Sequence, residues 1–396
     1  MELRLAEGIN VKGKRVILRV AFDVHFIDQS GVITIEDDTR LKSAIPTIND
    51  LTARGAKVIL MSWLQRPGGQ PNPDMSLVPV AEHLAKLLGR PVLALDDCIG
   101  EDVLSKIESV PDGSVIMLEN VRFHPGEKDE KTLDEDYAKE LAKNGDLFIN
   151  DAFGQSHRDV SSITGILKYL PSYAGPQLQK EVEALSGLLD KPARPFVGII
   201  GGAKISTKLE VICSLLDNVD ELMLGGALAN TILLAQGMQV GTSLIEESMI
   251  AKAKALALTD TRLHIPVDVI TAKEATEDAE TFTRAVGNLE PDEKILDIGP
   301  DTVKLFQGVI KSAKTIIWNG PMGWYEIKKF SQGTSDIAEA LASADAHTVI
   351  GGGETISSVS QLGLEGKMSF ISMGGGAMLK FLEKGTLPGI KPLIKE

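Results

Sequence analysis

Short apolar runs that end in glycine recur through the second half of the chain, and each is followed by a segment with helical spacing. The glycines concerned are Gly201 and Gly202, Gly225 and Gly226, Gly320 and Gly323, Gly351 to Gly353, and Gly374 to Gly376. Near-continuous apolar strands that alternate with helices are typical of parallel sheets covered on both faces. We therefore predict an α/β fold with these glycines at the carboxyl ends of strands, where such sheets bind ligands.

The first half of the chain repeats the alternation of strands and helices. The candidate strands are residues 15–22, 57–63, 91–95, 114–120 and 146–151. Residues 163–190 contain no predicted strand and carry Pro171, Gly175 and Pro176 before a long helical pattern. Because 396 residues exceed what one hydrophobic core usually supports, we predict two domains joined by this segment.

Residues 14–26, KRVILRVAFDVHF, alternate strictly between two faces. Val16, Leu18, Val20, Phe22, Val24 and Phe26 share one face, and Arg15, Ile17, Arg19, Ala21, Asp23 and His25 share the other. The alternation predicts a strand packed on one side, with a carboxylate and an imidazole at its carboxyl end.

Composition excludes several classes of protein. A net charge of −14 and a pI near 5.0 disfavour nonspecific binding to nucleic acid or to anionic membranes, since both need a positive field. No apolar run approaches the ~20 residues of a membrane span, and the first residues lack the pattern of a signal peptide. We expect a cytoplasmic protein, with Cys98 and Cys213 as reduced core thiols because their spacing fits neither a disulfide framework nor a zinc site.

The glycine turns in the second half predict a nucleotide or polyphosphate site. Backbone N–H groups at helix N-termini bind phosphate, and the missing Cβ atoms allow a close approach. Neither a Walker nor a Rossmann glycine motif is present. In GGAKISTK, Lys204 and Lys208 are four apart on one predicted helical face, where they either reach phosphates or form a solvated surface. Glu354 either ligates a nucleotide's magnesium ion or favours a helix N-terminus.

Four arginines in the first half follow predicted strands. They are Arg40, Arg66, Arg122 and Arg158, the last beside His157. Convergence of their guanidinium groups would create an anion-binding patch in an otherwise acidic protein. The alternative is that each arginine pairs with a neighbouring carboxylate such as Asp37, Glu119 or Asp159.

Nine short motifs occur in an order that resembles the phosphoglycerate kinase family along essentially the full chain. They are LENVRFHPGE, NDAFG, GGAK, ANTILLAQG, IPVD, DIGP, WNGPMG, VIGGGET, and GGGA followed by LPGI. The resemblance implies two Rossmann-like domains with a helical hinge and a deep interdomain cleft. It implies an acid-substrate domain of residues 1–170 with the tail 378–396, a hinge helix at 171–190 and a nucleotide-binding domain at 191–377.

The same resemblance implies an activity: a monomeric enzyme that uses ATP or ADP with Mg²⁺ to phosphorylate an anionic carboxylic acid reversibly, 3-phosphoglycerate in the family. The catalytic residues would be Arg40, Lys204, Gly352 and Gly353, and the substrate-binding residues Asp23, Arg40, Trp63, Arg66, Arg122 and Arg158. The nucleotide-binding residues would be Gly202, Ala203, Lys204, Lys208, Ala227, Asn319, Pro321, Trp324, Glu326, Gly351, Gly352, Gly353, Glu354 and Thr355, with Glu354 on the metal.

The chain departs from the family pattern around these residues. RVDFNVP is RVAFDVH here, which puts Ala21, Asp23 and His25 in place of Asp, Asn and Pro. SHLGRP is SWLQRP, and two histidines of the family pattern are Trp63 and Val160. On the nucleotide side the differing residues are Ala227, Trp324, Glu354 and Met373. Three hypotheses stay open: a phosphoglycerate kinase with weakened or altered specificity, a kinase for a different anionic acid, and a noncatalytic nucleotide-binding or scaffold homologue.

Overall fold

The computed structural model describes residues 1–29, 32–128, 133–256 and 260–395. Contacts divide the chain into two units, one of Met1–Glu183 with Thr386–Glu396 and one of Ala184–Gly385. The C-terminal segment of unit 1 begins at Thr386, whereas the sequence suggested 378. It is held by a bridge between Leu3 and Ile394 and by Asn150, whose Nδ2 donates to the carbonyl of Gly389 at 3.0 Å. The assignment of substrates to the two units stays a prediction.

Unit 1 contains a six-stranded parallel sheet with the order β5-β6-β4-β1-β7-β8 and a separate hairpin, β2-β3. Its strands are β1 (Arg15–Arg19), β2 (Phe26–Gln29), β3 (Val32–Ile35), β4 (Lys57–Met61), β5 (Leu93–Ala94), β6 (Val115–Met117), β7 (Leu147–Asn150) and β8 (Ser172–Ala174). Its helices are α1 (Thr39–Ala53), α2 (Val78–Leu88), α3 (Glu101–Ser109) and α4 (Glu135–Ala142), and α5 (Pro176–Asp190) continues into unit 2.

Strand β1 is shorter and more buried than its alternation predicted. It ends at Arg19, and it lies between β4 and β7 in the middle of the sheet. Val16 and Leu18 belong to the apolar cluster on one face, while Ile17 belongs to the cluster on the other. The prediction of one buried face was wrong because helices cover both faces of a parallel sheet.

The segment 163–190 does contain a strand. Strand β8 pairs in parallel with β7, with Phe148 opposite Ser172 and Asn150 opposite Ala174. A three-residue strand without an apolar run leaves no periodic signal in the sequence, so its existence depends on its partner. Helix α5 follows it, and the hinge role of this helix stays a prediction.

Unit 2 contains a second six-stranded parallel sheet, with the order β11-β10-β9-β15-β16-β17. The strands of the unit are β9 (Phe196–Ile200), β10 (Glu221–Leu224), β11 (Leu263–His264), β12 (Asp268–Ala272), β13 (Phe282–Ala285), β14 (Lys294–Ile298), β15 (Thr315–Asn319), β16 (His347–Gly351) and β17 (Phe370–Ser372). The helices are α6 (Leu209–Asn218), α7 (Gly226–Ala235), α8 (Ile250–Ala255), α9 (Pro300–Ser312), α10 (Gln332–Ser343), α11 (Gly353–Gln361) and α12 (Gly375–Lys384).

The predicted fold class, α/β units built on parallel sheets, is confirmed. The apolar segments IPVDVIT and ILDIGP form strands β12 and β14 of a small antiparallel sheet with the order β13-β12-β14, and not strands of a parallel sheet. An apolar run predicts that a strand is buried but does not say which strand it pairs with. Cys98 is buried as expected, whereas Cys213 is exposed. Among the residues described, none of the helices combines the length and apolarity that a membrane span requires.

Candidate active site

A cavity of about 300 Å³ lies in unit 1 beyond the carboxyl ends of β4, β6 and β7. Its lining residues are Arg66, Gly68, Gly69, Arg122, His124, Glu127, Lys128 and Arg158. Three of the predicted substrate arginines therefore meet at one cavity, because they follow strands of the same parallel sheet, in which β6 adjoins β4 and β1 separates β4 from β7. The carboxylates named as alternative partners have other contacts: Asp37 accepts from Thr39, Glu119 from Leu77, and Asp159 from Thr164.

Two further predicted substrate residues, Trp63 and Asp23, lie next to this cavity. Trp63 contacts Arg122, and Asp23 contacts the loop that carries Arg66. Trp63 is only 3% exposed, and the Cζ atom of Arg122 lies 3.9 Å from its ring centroid. Asp23 Oδ1 accepts a hydrogen bond from the backbone N–H of Gln65 at 2.9 Å. Burial lowers the pKa of Arg122, while Asp23 opposes that shift. The two residues thus shape the surroundings of Arg122.

Arg40, the remaining predicted residue, lies in the first turn of α1 and is absent from the lining of this cavity. Within the described ranges, no carboxylate lies within ion-pairing distance of its guanidinium group, although Lys42 on the same helix pairs with Asp38 at 2.8 Å. A cation in the first turn of a helix is unfavourable because it faces the positive end of the helix dipole. Helix stability therefore does not account for an arginine at this position.

The sequence did not single out Glu127 or His124. Glu127 is 3% exposed and accepts hydrogen bonds from the backbone and side chain of Ser162. Burial raises the pKa of Glu127, and the nearby charge of Arg19 opposes this rise. Arg19 itself is completely buried and donates through Nε to Ser162 Oγ at 3.1 Å. A charged residue inside the motif ENVRFHPGE was the available signal that Glu127 belongs to the site.

A second cavity, of about 500 Å³, lies in unit 2. Seven predicted nucleotide residues line it: Gly202, Ala203, Ala227, Pro321, Trp324, Glu326 and Glu354. Trp324 is 48% exposed, so its indole does not fill the cavity. Several further lining residues, including Val269, Leu296 and Asp297, come from β12 and β14. Sequence reasoning missed them because the antiparallel pairing of these strands was not predicted.

Glycine is required where backbone segments meet at this cavity. Gly202 has a φ of +97°, and a Cβ atom on Gly226 would lie 2.5 Å from the backbone nitrogen of Gly202. Gly352, with a φ of +98°, immediately precedes helix α11, and Gly353 is the first residue of that helix. A side chain at Gly202, Gly226 or Gly352 would force the segments apart or strain the backbone, whereas a Cβ atom on Gly353 would meet no atom within 4 Å. The backbone of the Gly202 and Gly226 turns therefore forms part of the cavity wall.

Hydrogen bonds join the loops that follow β15 and β16. Asn319 Nδ2 donates to the carbonyl of Gly351 at 2.8 Å, and Thr355 Oγ1 accepts from the N–H of Gly320 at 2.7 Å. Asn319 and Thr355 are both buried. These two predicted nucleotide residues hold the glycine turns in place by hydrogen bonds. Neither side chain lines the cavity among the residues described.

Lys204 and Lys208 precede helix α6, which begins at Leu209, so the prediction that they share a helical face was wrong. The turn from Gly201 to Lys208 is irregular because its glycines do not favour helix. Lys204 is exposed. Lys208 Nζ donates to the carbonyl of Gly201 at 2.6 Å, and burial lowers the Lys208 pKa to about 8, opposed by Glu354. The two lysines therefore differ in environment.

Comparison with known proteins identifies the family of this chain. The family model described as phosphoglycerate kinase matches residues 6–385. The chain belongs to the phosphoglycerate kinase family. It is 46% identical to the phosphoglycerate kinase of Desulfosudis oleivorans over 99% of this chain and 98% of that one, and 44% identical to that of Pelotomaculum thermopropionicum over the full length of both.

Solved structures of the phosphoglycerate kinase family share the fold. That of the phosphoglycerate kinase from Coxiella burnetii has a TM-score of 0.83 at 38% identity, covering 99% of this chain and 98% of that one. That of the enzyme from Pyrococcus horikoshii has a TM-score of 0.86 at 30% identity with the same coverage. The predicted family is confirmed, while the roles of the individual site residues stay predictions.

In this member of the phosphoglycerate kinase family, we expect ADP binding to weaken above pH 8. The lowered pKa of Lys208 leaves its amine increasingly neutral there, and phosphate binding favours the charged form, so binding takes up a proton. The dissociation constant should rise by up to ~10-fold per pH unit between pH 8 and 10. Titration calorimetry in buffers of different ionisation enthalpy measures both the dissociation constant and the number of protons taken up on binding. Lys208→Arg, which stays charged, should bind independently of pH, and a flat wild-type profile would contradict the assignment.

Proposed function

We propose that this chain transfers the γ-phosphoryl group of ATP to the carboxylate of 3-phosphoglycerate, forming 1,3-bisphosphoglycerate, and catalyses the reverse reaction. The observation that carries the proposal is membership of the phosphoglycerate kinase family over nearly the whole chain. The two cavities support it, since one is lined by arginines and the other by glycine turns with the half-buried Lys208 beside them. An acidic acceptor and a nucleotide are the ligands that suit these linings.

Phosphoryl transfer leaves little covalent chemistry for protein side chains, so catalysis rests on positioning and charge neutralisation. Arg66, Arg122 and Arg158 would hold the phosphate group of the acid by charge-assisted hydrogen bonds. Arg40 and Lys204 would stabilise negative charge on the transferring group. Lys208 and the backbone N–H groups at Gly352 and Gly353 would bind the nucleotide phosphates.

We propose that Glu354 ligates the Mg²⁺ that accompanies the nucleotide. Its carboxylate is exposed, lines the cavity in unit 2 and lies in the first turn of α11, and carboxylate oxygen is a preferred ligand of Mg²⁺. The ion would neutralise phosphate charge. We expect Glu354→Gln to raise the Mg²⁺ concentration for half-maximal activity about 10-fold or more, because a neutral amide is a weaker ligand. Glu339→Gln, on the exposed surface of α10, should leave it unchanged. A Glu354→Gln enzyme with an unaltered requirement would reject this ligand.

The alternatives raised by the differing residues have less support. The differences at Ala227 and Trp324 leave a cavity of about 500 Å³, which argues against a nucleotide pocket lost by decay. Ala21 has no group that could hydrogen-bond a substrate hydroxyl, and such a loss typically costs ~1 to 3 kcal/mol. We therefore expect a raised KM for 3-phosphoglycerate with a retained phosphotransfer step, in a monomer.

A coupled assay with ATP, Mg²⁺ and 3-phosphoglycerate tests the proposal. Saturable turnover that depends on all three supports it, and sedimentation velocity on the same sample tests the monomer. Absence of turnover, together with ADP binding by calorimetry, would favour a kinase for another acid. Absence of both would favour the scaffold. Glycerate without a phosphate group is the matched control substrate, because it lacks the group that the arginines would hold.

A further inference from the structure

Trp63 contacts two arginines in the structure. Arg122 Cζ lies 3.9 Å from the Trp63 ring centroid, and Arg19 Cζ lies 4.5 Å from it. The indole is 3% exposed and Arg19 is fully buried. A guanidinium group over an indole face is attracted by the ring quadrupole, and the attraction is stronger when water is excluded. The family motif SHLGRP has a histidine at this position, which could not present an indole face to either arginine.

Arg122 is also held at a second point. Its Nη1 donates to the carbonyl of Gln65 at 2.6 Å, and the N–H of Gln65 donates to Asp23 at 2.9 Å. Gln65 has a φ of +54°, a left-handed conformation that costs free energy for a residue other than glycine. Asp23, Trp63 and Gln65 all differ from the family motifs RVDFNVP and SHLGRP. Trp63 and Gln65 thus contact Arg122 directly, and Asp23 is linked to it through Gln65.

A purely apolar role is the simpler explanation for Trp63. It belongs to the same apolar cluster as Val121 and Val160, so the indole also fills space in the core. Space filling, however, does not require a planar ring under a guanidinium group. Arg122 lines the arginine cavity, and burial lowers its pKa with Arg158 and Arg66 adding to the shift. The charge of Arg122 is repelled by those of Arg158 and Arg66, and the attraction between Arg122 and the indole offsets part of this unfavourable free energy.

We propose that Trp63 is a positioning residue that orients Arg122 for the phosphate group of the acid substrate, in place of the histidine of the family pattern. The inference rests on the proposed function, since it takes a phosphorylated acid as the occupant of this cavity. It adds to that function a way in which the chain compensates for the missing histidine, namely by orienting Arg122 with an aromatic ring. The substitutions at Asp23, Trp63 and Gln65 then act together on substrate affinity.

Trp63→Phe and Trp63→Leu separate the two roles, because Phe keeps an aromatic face and Leu keeps only apolar volume. Calorimetry with inorganic phosphate, and separately with 3-phosphoglycerate, measures affinity without turnover. We expect Phe to bind within about 3-fold of wild type and Leu to bind about 5- to 30-fold more weakly. In the kinase assay, the KM for the acid should rise for Leu while kcat changes less than about 2-fold.

The control is Phe282→Leu, which removes another aromatic ring in contact with an arginine, since Arg284 Cζ lies 4.8 Å from the Phe282 ring centroid on the small antiparallel sheet. It should leave phosphate affinity unchanged. Arg122→Lys leaves the core intact, so it carries the test if Trp63→Leu does not fold. It keeps the charge but loses the planar group, and we expect the same about 5- to 30-fold loss. Adding Trp63→Leu to Arg122→Lys should cause little further loss.

Equal affinities for the Phe and Leu variants, full affinity in Arg122→Lys, or additive losses in the double variant would each overturn the inference. A wild-type protein that turns over 3-phosphoglycerate but shows no such pattern would reject the positioning role and leave the proposed function standing. If phosphate affinity changes in the variants as expected but the wild-type protein does not turn over 3-phosphoglycerate, the positioning role stands and the proposed function is rejected. A wild-type protein that binds neither phosphate nor 3-phosphoglycerate would reject both.

Discussion

Arg40→Ala is expected to lower kcat by about 1,000-fold, because an arginine that stabilises charge on a transferring phosphoryl group contributes an effect of that order. The affinity for ADP should change little, since the described residues that line the proposed nucleotide cavity all belong to unit 2. Stability should not fall, since no carboxylate among the described residues pairs with Arg40 and its charge is unfavourable in the first turn of α1. Single-turnover kinetics with ATP and 3-phosphoglycerate measures the step directly.

The matched control for this variant is Lys42→Ala on the same helix. Lys42 has an exposed side chain that pairs with Asp38, so its loss should leave kcat within about 2-fold of wild type. Arg40→Lys distinguishes simple charge from the planar guanidinium group and should recover only part of the rate. A kcat for Arg40→Ala near the wild-type value would remove Arg40 from the catalytic residues.

Glu127→Ala is expected to lower the free energy of unfolding of unit 1 by about 3 to 5 kcal/mol. The substitution leaves the fully buried Arg19 without its nearby opposite charge, and it removes the acceptor for the backbone N–H of Ser162. Both groups would then be buried without compensation. Urea denaturation can be followed by the fluorescence of Trp63, with Trp318→Phe and Trp324→Phe as the common background, because the other tryptophans lie in unit 2.

Glu135→Ala is the control for the loss of a carboxylate at the surface. Glu135 pairs with Lys168, and both side chains are at least half exposed, so its removal should scarcely shift the denaturation midpoint. Glu127→Gln keeps an acceptor for Ser162 and should be less destabilising than Ala. If Glu127→Ala denatures at the wild-type urea concentration, the charge of Arg19 must be compensated by groups other than Glu127.

Part of the site was predictable because residues that follow the strands of one parallel sheet lie at the same edge of that sheet. Convergence of the arginines was one of two interpretations of the sequence, and the structure brings Arg66, Arg122 and Arg158 to one cavity. Glycines at strand ends likewise indicated a cavity with close backbone approach. Neither inference needs the side-chain packing of the core.

Other parts of the site depend on pairing that leaves no local signal. The wall formed by β12 and β14 was missed because an antiparallel partner is chosen by contacts distant in sequence. The depressed pKa of Lys208 follows from burial, which the letters GGAKISTK do not reveal. The position of Lys204 and Lys208 ahead of α6 shows that four-residue spacing indicates a shared helical face only where a helix forms.

The amino-acid sequence by itself determined the fold class, the family and the residue types available at each cavity, because periodicity and motif spacing are local properties of the chain. Only the tertiary structure decided which of those residues touch. It showed that the strand within KRVILRVAFDVHF ends at Arg19 and is buried on both faces, and that Arg19 and Arg122 lie over Trp63. Cation–π stacking and burial arise between residues far apart in the chain, so their energies depend on packing and cannot be read from spacing.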